Sequence, residues 1–487
     1  MSRSLGMDAD VPRPAKSAAL SRHRTAAVLA AAGLVTMTGT TTVASITGAE
    51  AVGLTASSTA RVDVKKTEGA SGGSKGDEGK EKSTAGKGDE GKKHDADKRS
   101  GDRYGHDGEH HGHKKHDGAH GGDKRYVECD PNDLVAALVD LNENRGGALV
   151  LAKDCTYTLT ATQDDNGLPE ITQPITIHGN GATIARAANA DQFRIFEVGP
   201  GGDLKLRDLT LTQGKVDEED GGAISVTPAG RLDSKHVTFT DNSAEDGGAI
   251  SNEGIADLHS STLSKNFSEV GGAIDNSEGK LGLHDSKLTR NTAPLGGALN
   301  SSGVTTLSKT LIAHNTATNG FGGGILTLGG ILSIDRSAVL HNTSAFGGGI
   351  IPFGQALYVR RSTINENTAT AQGGGVFLLG AGVIEDSNVN RNTGVDGGGG
   401  IDSSGSLAVR GSHVNDNQAP GNGATGGGIL NEDDLSLTNS KVTRNISDEP
   451  AGGVHSDGTV TTHGKVRIID NVPTNCQGGD PVPNCFG

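Results

Sequence analysis

The stretch that decides the fold is FTDNSAEDGGAI, residues 239–250, in which an Asn follows a Phe by three positions and a Gly-Gly-Ala-Ile turn comes next. Both features recur along the chain at spacings of 24 to 28 residues. The recurring Asn residues are Asn242, Asn266, Asn291, Asn315, Asn342, Asn367, Asn392, Asn417, Asn445 and Asn471. The residues that close the turn are Ile224, Ile250, Ile274, Leu299, Ile325, Ile350, Val376, Ile401, Ile429 and Val454. Matched units at this spacing indicate a repeat architecture.

Each unit has the pattern of short β-strands. The third residue before every Asn is apolar, as in Leu263 and Ile364, and in the regular units the fifth is Ser or Thr. Alternation with a period of two residues, interrupted by a corner, is typical of strands rather than helices. Units of this size cannot bury an apolar face alone, so they stack, and each strand pairs in parallel with its equivalent. The sequence therefore predicts an all-β chain whose repeats, over about 213–471, form a single-stranded parallel β-helix of about ten regular coils.

Gly and Asn have distinct predicted roles in this stack. The Gly pairs allow positive φ or close backbone approach at the turn. The Asn column is expected to hydrogen-bond along the stack as an amide ladder.

Both ends of the repeat array carry features that suit caps. Asp130 and Pro131 open a helical pattern that continues to Asn144, and irregular opening coils are expected from there to about residue 212. The segment 472–487 has lost the repeat and is predicted to be a C-terminal cap. Four Cys allow three pairings, of which we favour the two local ones because more than 300 residues of sequence separate the two pairs. The predicted disulfides are Cys129 with Cys155 and Cys476 with Cys485.

The first 125 residues have a different composition from the rest. Residues 1–51 combine basic residues, an apolar run too short for a comfortable membrane span, and a small-residue cleavage site, which predicts an export signal; an uncleaved anchor is the alternative. Residues 52–125 are rich in His, Lys, Asp and Gly and are predicted to be a disordered linker with weak metal affinity. The β-helix domain would then span 126–487, secreted and free of a membrane span after cleavage.

Composition excludes several classes of protein. With 76 Gly, no Trp and 4 Tyr in 487 residues, the chain lacks the material of an ordinary globular core. Residues 126–487 hold 23 Lys and Arg against 42 Asp and Glu, a net charge of −19, which disfavours nucleic-acid binding. No phosphate loop, nucleophile elbow or zinc-protease motif is present in the sequence.

The GGAI and FxxN motifs of residues 239–250 resemble the repeats of chlamydial polymorphic outer-membrane proteins. The segment 126–487 also resembles the right-handed parallel β-helix proteins of the pectin-lyase-like fold that actinobacteria secrete. The resemblance implies a right-handed coil, and surface adhesion or polysaccharide cleavage as roles. The Phe of FxxN occurs only once in the repeats and is replaced afterwards by Leu, Ile or Val, which weakens the functional implication.

Two groups of charged residues are candidate sites. Seven residues before the Asn, one column contains Asp335, Arg360, Glu385 and Arg410. Ion pairing between coils explains the alternating signs, and we favour that interpretation. The alternative is a catalytic site: in a lyase, Arg would act as base or charge neutraliser, and in a hydrolase, two carboxyls would act as acid and base. An acidic group before the first Gly turns contains Asp220, Asp246 and Glu269, where either a bound Ca²⁺ or a hydrated corner without metal is expected.

Taken together, these features favour a monomeric extracellular or cell-surface protein with a binding, adhesive or structural role. Its expected partners are cell-wall or extracellular polysaccharide, or a surface protein. The alternative is a polysaccharide lyase or glycoside hydrolase that acts on one face of the β-helix, so the sequence leaves enzymatic activity open.

Overall fold

The computed structural model describes residues 124–162, 165–479 and 481–486, apart from the side chain of Gln355. The predicted export signal and almost all of the predicted linker lie outside the described residues. The described chain is a parallel β-helix of about 14 turns, which confirms the predicted fold class. Its strands form a 35-stranded sheet and a separate 7-stranded sheet, and every ladder between the strands is parallel.

A complete coil contains up to four strands, which we number from the Gly turn. The first strands are Phe196–Val198, Ile224–Val226, Ile250–Asn252, Ile274–Asn276, Leu299–Ser301, Ile325–Leu328, Ile401–Ser403, Ile429–Asn431, Val454–Ser456 and Cys476–Gly478. The second strands are Arg125–Val127, Gly147–Leu151, Pro174–His178, Ile255–His259, Lys280–His284, Val304–Ser308, Ile331–Asp335, Leu407–Arg410, Leu435–Thr438 and Val460–His463. Ile350–Arg360 and Val376–Glu385 run through the first and second positions without a break.

The third and fourth strands complete the coil. The third strands are Thr156–Leu159, Thr183–Arg186, Thr262–Ser264, Lys287–Thr289, Leu311–Ala313, Ala338–Leu340, Thr363–Asn365, Asn388–Asn390, His413–Asn415, Lys441–Thr443 and Arg467–Ile469. Asp203–Thr212 and Arg231–Thr240 serve as second and third strands together. The short fourth strands, which form the smaller sheet, are Thr292–Leu295, Thr316–Phe321, Thr343–Ser344, Thr368–Ala369, Thr393–Gly394, Gln418–Ala419 and Ile446–Ser447.

The predicted Asn column forms a continuous amide ladder inside the stack. In the middle of it, Asn342 Nδ2 donates to Asn367 Oδ1 at 2.9 Å and to the carbonyl oxygen of Ile312 at 3.0 Å. Asn342 Oδ1 in turn accepts from the backbone N–H and from Nδ2 of Asn315, at 3.0 and 2.9 Å. Because these side chains are fully buried, each amide must find its partners within the protein.

The Gly turns behave as the sequence predicts. The first Gly of each turn from Gly221 to Gly426 has positive φ, for example 61° at Gly247. A Cβ on the second, Gly248, would stand only 2.5 Å from the carbonyl oxygen of Gly272 in the next coil. Side chains are thus excluded at both positions, which explains why the pair recurs.

A helix lies at the N-terminal end of the described β-helix, and a disulfide lies at each end. The helix Pro131–Glu143 begins at Asp130, whose side chain accepts a hydrogen bond from the backbone N–H of Asn132, and its buried residues include Leu134 and Leu138. Disulfides join Cys129 to Cys155 and Cys476 to Cys485, so the predicted local pairing is confirmed. Cys476 lies in Cys476–Gly478, the most C-terminal of the strands in the first position, and this strand pairs with Val454–Ser456.

Candidate functional site

A groove runs along the outer face of the second strands and has a volume of about 500 Å³. Successive side chains of a strand point to opposite faces, so the outward residues form columns along the stack. Tyr358 pairs in register with Val383, and Val383 with Ala408. The outward residues that line the groove are Ala356, Tyr358, Ala381, Val383, Ser406, Ala408, Asp434, Ser436, Thr459 and Thr461. Small side chains make the floor low over five coils, and Tyr358, which is 45% exposed, is the only aromatic residue among them.

The charged column predicted from the sequence lies directly beside this groove. In register, Asp335 pairs with Arg360, Arg360 with Glu385, and Glu385 with Arg410. Only one of the two ion pairs joins residues of this column: Arg360 Nε contacts Glu385 Oε2 at 2.9 Å. Asp335 instead accepts a 2.9 Å hydrogen bond from Nε of Arg361. Arg361 belongs to the neighbouring column, in a corner with positive φ.

This arrangement neutralises most of the charge on the face. The side chains of Arg360 and Glu385 are 54% and 34% exposed, so their pair contributes little to stability, about 0–1 kcal/mol. Arg410 has no ion-pair partner among the described residues, and the next residue in its column is Thr438. One unpaired guanidinium thus remains beside the groove.

The three acidic residues predicted as a metal site do not form one column. The backbone N–H of Gly221 donates to Asp246 and that of Gly247 to Val270, so Asp220 and Asp246 are equivalent and Val270 takes the third place. Glu269 is exposed and lies one position earlier. Glu269 does not stack with the other two because it stands two residues before its Gly turn, whereas they stand one residue before theirs.

Asp220 nevertheless has an unusual environment. Burial, together with the nearby carboxylate of Asp275, raises the pKa of Asp220 to about 7; Arg194 opposes the shift, and Glu245 and Glu253 add to it. In the part of the chain that the structure describes, no three His, Cys, Asp or Glu side chains are gathered as metal ligands. A Ca²⁺ ion at Asp220, Asp246 and Glu269 therefore stays a prediction.

The sequence did not single out Asp402, which is the most deeply buried acid of the stack. Its side chain points away from the core on a first strand but is 1% exposed, and its Oδ2 has no hydrogen-bond partner in the described structure. Burial, with a smaller effect from Glu432, raises the pKa of Asp402 well above its usual range. In the preceding coil the equivalent position is Phe377, so an ionisable group here occupies an apolar layer.

That apolar layer accounts for the Phe residues in the middle of the chain. The rings of Phe321 and Phe346 stack with centroids 5.4 Å apart, and Phe346 lies 5.7 Å from Phe377. Phe377 is buried, and the other two are partly covered. These aromatic rings pack against one another at the Gly turns rather than forming an open stripe.

Comparison with known proteins supports the repeat. Residues 236–253 match the Chlamydia polymorphic membrane protein repeat, a segment that includes the FTDNSAEDGGAI stretch. No curated protein matches the sequence.

Solved structures with a similar β-helix include PfbA, a surface adhesin of Streptococcus pneumoniae (12% identity, TM-score 0.37, covering 72% of this chain and 87% of that one). The A-module of the Azotobacter vinelandii mannuronan C-5 epimerase AlgE4 is also similar (15% identity, TM-score 0.35, covering 74% and 96%). The A-module of AlgE6 from the same organism has 14% identity and a TM-score of 0.31, covering 73% and 92%. At these values the likeness carries no argument about activity. Among the described residues, no helix has the length and apolar character needed to cross a membrane.

Proposed function

We propose that this protein is an extracellular or cell-surface binding protein that holds a polysaccharide along the groove of its second strands, in an adhesive or structural role. The observation that carries the proposal is the groove itself, which crosses five coils and offers small side chains, hydroxyl groups and one exposed Tyr. Equivalent residues recur at about 4.8 Å along the stack, so an extended polymer meets similar contacts coil after coil.

The charges beside the groove support binding rather than turnover. Arg360 and Glu385 are engaged with each other, as are Arg361 and Asp335. A ligand can contact Arg410 without breaking an existing ion pair. Cell-wall and extracellular polysaccharides are the proposed partners, and a surface protein is the alternative partner.

One observation favours a polysaccharide lyase or glycoside hydrolase as a second candidate. Asp335 and Glu385 are two coils apart in the same column. Two coil spacings amount to about 9.6 Å, near the upper end of the separation of roughly 6.5–9.5 Å in inverting glycosidases. That chemistry would require at least one carboxyl to leave its Arg partner when substrate binds.

The test measures both retention and turnover with the full chain. Purified protein is passed over immobilised cell-wall preparations and neutral and acidic polysaccharides, with and without Ca²⁺, and the eluate is assayed for unsaturated products and new reducing ends. We expect retention without products. Tyr358→Ala should weaken retention about tenfold, which corresponds to about 1.4 kcal/mol, and Ala381→Phe should block the groove.

Phe267→Ala is the matched control. Phe267 is 47% exposed, a fraction similar to the 45% of Tyr358, but it follows the Asn corner and does not line the groove. Equal losses in Tyr358→Ala and Phe267→Ala would contradict a groove-specific ligand. Products that disappear in Glu385→Ala or Arg360→Ala would overturn the binding interpretation and identify an enzyme.

A further inference from the structure

Three potential metal ligands lie on two neighbouring second strands, away from the groove. Ile255–His259 and Lys280–His284 pair in parallel, and the register sets His259 opposite His284 and Asp257 opposite Gly282. Asp257 and His259 are two residues apart and therefore point to the same face. The three side chains occupy three corners of a square on the sheet surface, and Gly282 leaves the fourth corner empty.

Donor atoms of two of the three residues, Asp257 and His284, lie close to that empty corner. The rings of His259 and His284 are stacked with centroids 4.8 Å apart and planes 16° apart. A Cβ on Gly282 would stand 2.6 Å from Asp257 Oδ1 and 3.1 Å from His284 Nε2. A carboxylate oxygen and an imidazole nitrogen thus flank the same point, over a position where any other residue would place atoms.

We propose that Asp257, His259 and His284 bind a divalent transition metal of the Zn²⁺ type. Two imidazole nitrogens and one carboxylate oxygen suit Zn²⁺, Ni²⁺ or Cu²⁺, whereas Ca²⁺ and Mg²⁺ prefer oxygen ligands alone. Water would complete the coordination, since the site is at the surface.

Side-chain rotation is sufficient to assemble the site. In the described residues no three ligands are already gathered, so the metal has to draw these donors to about 2.0–2.2 Å from a common point. The parallel ladder fixes the strands, and only side-chain torsions change. Asp257 gives up an exposed contact with Arg231, Nη2 to Oδ2 at 3.3 Å, which is worth little in water. Lys235, opposite His259 in the preceding coil, is exposed and can turn its ammonium group to solvent.

A second stacked pair provides an internal control. His314 and His341 have centroids 4.8 Å apart and planes 3° apart, and His341 Nε2 lies 3.1 Å from Glu366 Oε2. These three residues stand in a line along the stack, which puts the outer two about 9.6 Å apart. Without a corner arrangement they share no common point, so we expect weaker binding although the imidazoles are spaced alike.

The experiment is residue-resolved histidine modification of the full chain by diethylpyrocarbonate during a Zn²⁺ titration, read by mass spectrometry. Peptides report His259, His284, His314 and His341 separately, and the histidines between His94 and His120 are read from peptides of their own. We expect His259 and His284 to be protected together, at a Zn²⁺ concentration that leaves His314 and His341 reactive. Asp257→Asn should raise that concentration at least about tenfold.

Gly282→Ala keeps all three ligands and tests the empty corner. The added methyl group would meet flexible side chains rather than backbone, so the strand should still form, and circular dichroism verifies this. The site is supported if, in both variants, the Zn²⁺ concentration that protects His259 and His284 rises at least about tenfold. Protection of both His pairs at the same Zn²⁺ concentration, no protection at all, or protection that Asp257→Asn and Gly282→Ala leave unchanged would each overturn the proposal.

Discussion

Replacing Asn342 by Ala tests whether the amide ladder stabilises the stack. The substitution removes four hydrogen bonds, all between 2.9 and 3.0 Å, that join Asn342 to Asn315, Ile312 and Asn367. It leaves the backbone N–H of Asn315 and one of its Nδ2 hydrogens without these acceptors in a fully buried corner. A buried unsatisfied group costs about 1–3 kcal/mol, so we expect a loss of about 3–5 kcal/mol.

Hydrogen exchange is the suitable assay because repeat proteins need not unfold in one step. Exchange at the backbone amides of coils 312–367 should accelerate by two to three orders of magnitude or more, since about 1.4 kcal/mol corresponds to a factor of ten, while coils near residue 204 change little. Asn365→Ala is the control, because Asn365 is only partly buried and its Nδ2 donates to Glu366 at 2.9 Å on the surface. A similar acceleration in both variants, or a change at Asn342 below about 1 kcal/mol, would refute the reasoning.

Three further predictions concern the acid, the turn and the cap. Burial raises the pKa of Asp402 in the folded protein, so the wild-type protein loses stability as the pH rises from the unfolded-state pKa of about 3.9 through the folded-state pKa. The free energy of unfolding of Asp402→Asn, measured by denaturant titration between pH 5 and 8, should therefore rise relative to that of the wild type by up to about 1.4 kcal/mol per pH unit. Parallel pH profiles of the two proteins would contradict this. Gly248→Ala should lower the melting temperature more than Gly329→Ala. A Cβ on Gly248 would meet a backbone oxygen at 2.5 Å, whereas a Cβ on Gly329, which has a φ of 101°, would meet nothing within 4 Å. Equal decreases in melting temperature would mean that close backbone approach is unimportant. Replacing Cys476 and Cys485 by Ser opens a loop with a sequence separation of 9 and should cost the cap about 2–3 kcal/mol, seen as faster exchange in residues 454–486 and not in the N-terminal helix.

Structural features that recur in the repeats can be predicted from the sequence, whereas contacts and burial of individual side chains cannot. The Asn and Gly columns recur along the repeats, and their chemistry leaves few alternatives, so the ladder and the turns follow from their spacing. The two local disulfides follow from the long stretch of sequence that separates one Cys pair from the other. The contact of Asp335 with Arg361 does not follow, because Arg360 and Arg361 are adjacent and only the direction of the side chains decides between them. Burial of Asp402 is equally invisible, since alternation along a strand predicts an outward side chain at this position, whereas the side chain of Asp402 is buried.

The separation of ladder and surface has a consequence for how such a chain acquires binding specificity. The buried Asn, Ser and Gly columns hold successive coils at about 4.8 Å, independent of which side chains the second strands direct outward. The exposed ion pairs beside the groove contribute about 0–1 kcal/mol each, so substitution there alters the ligand contacts at little cost to the fold. In the proposed binding mode each coil would add one weak contact in a fixed direction, and contacts held on one rigid support act together because binding of the first sugar unit would bring the next unit to its own coil. A linear polymer is the ligand that gains most from this geometry, and a compact molecule the size of one coil gains least, which is why the retention assay should separate long chains from their oligosaccharides.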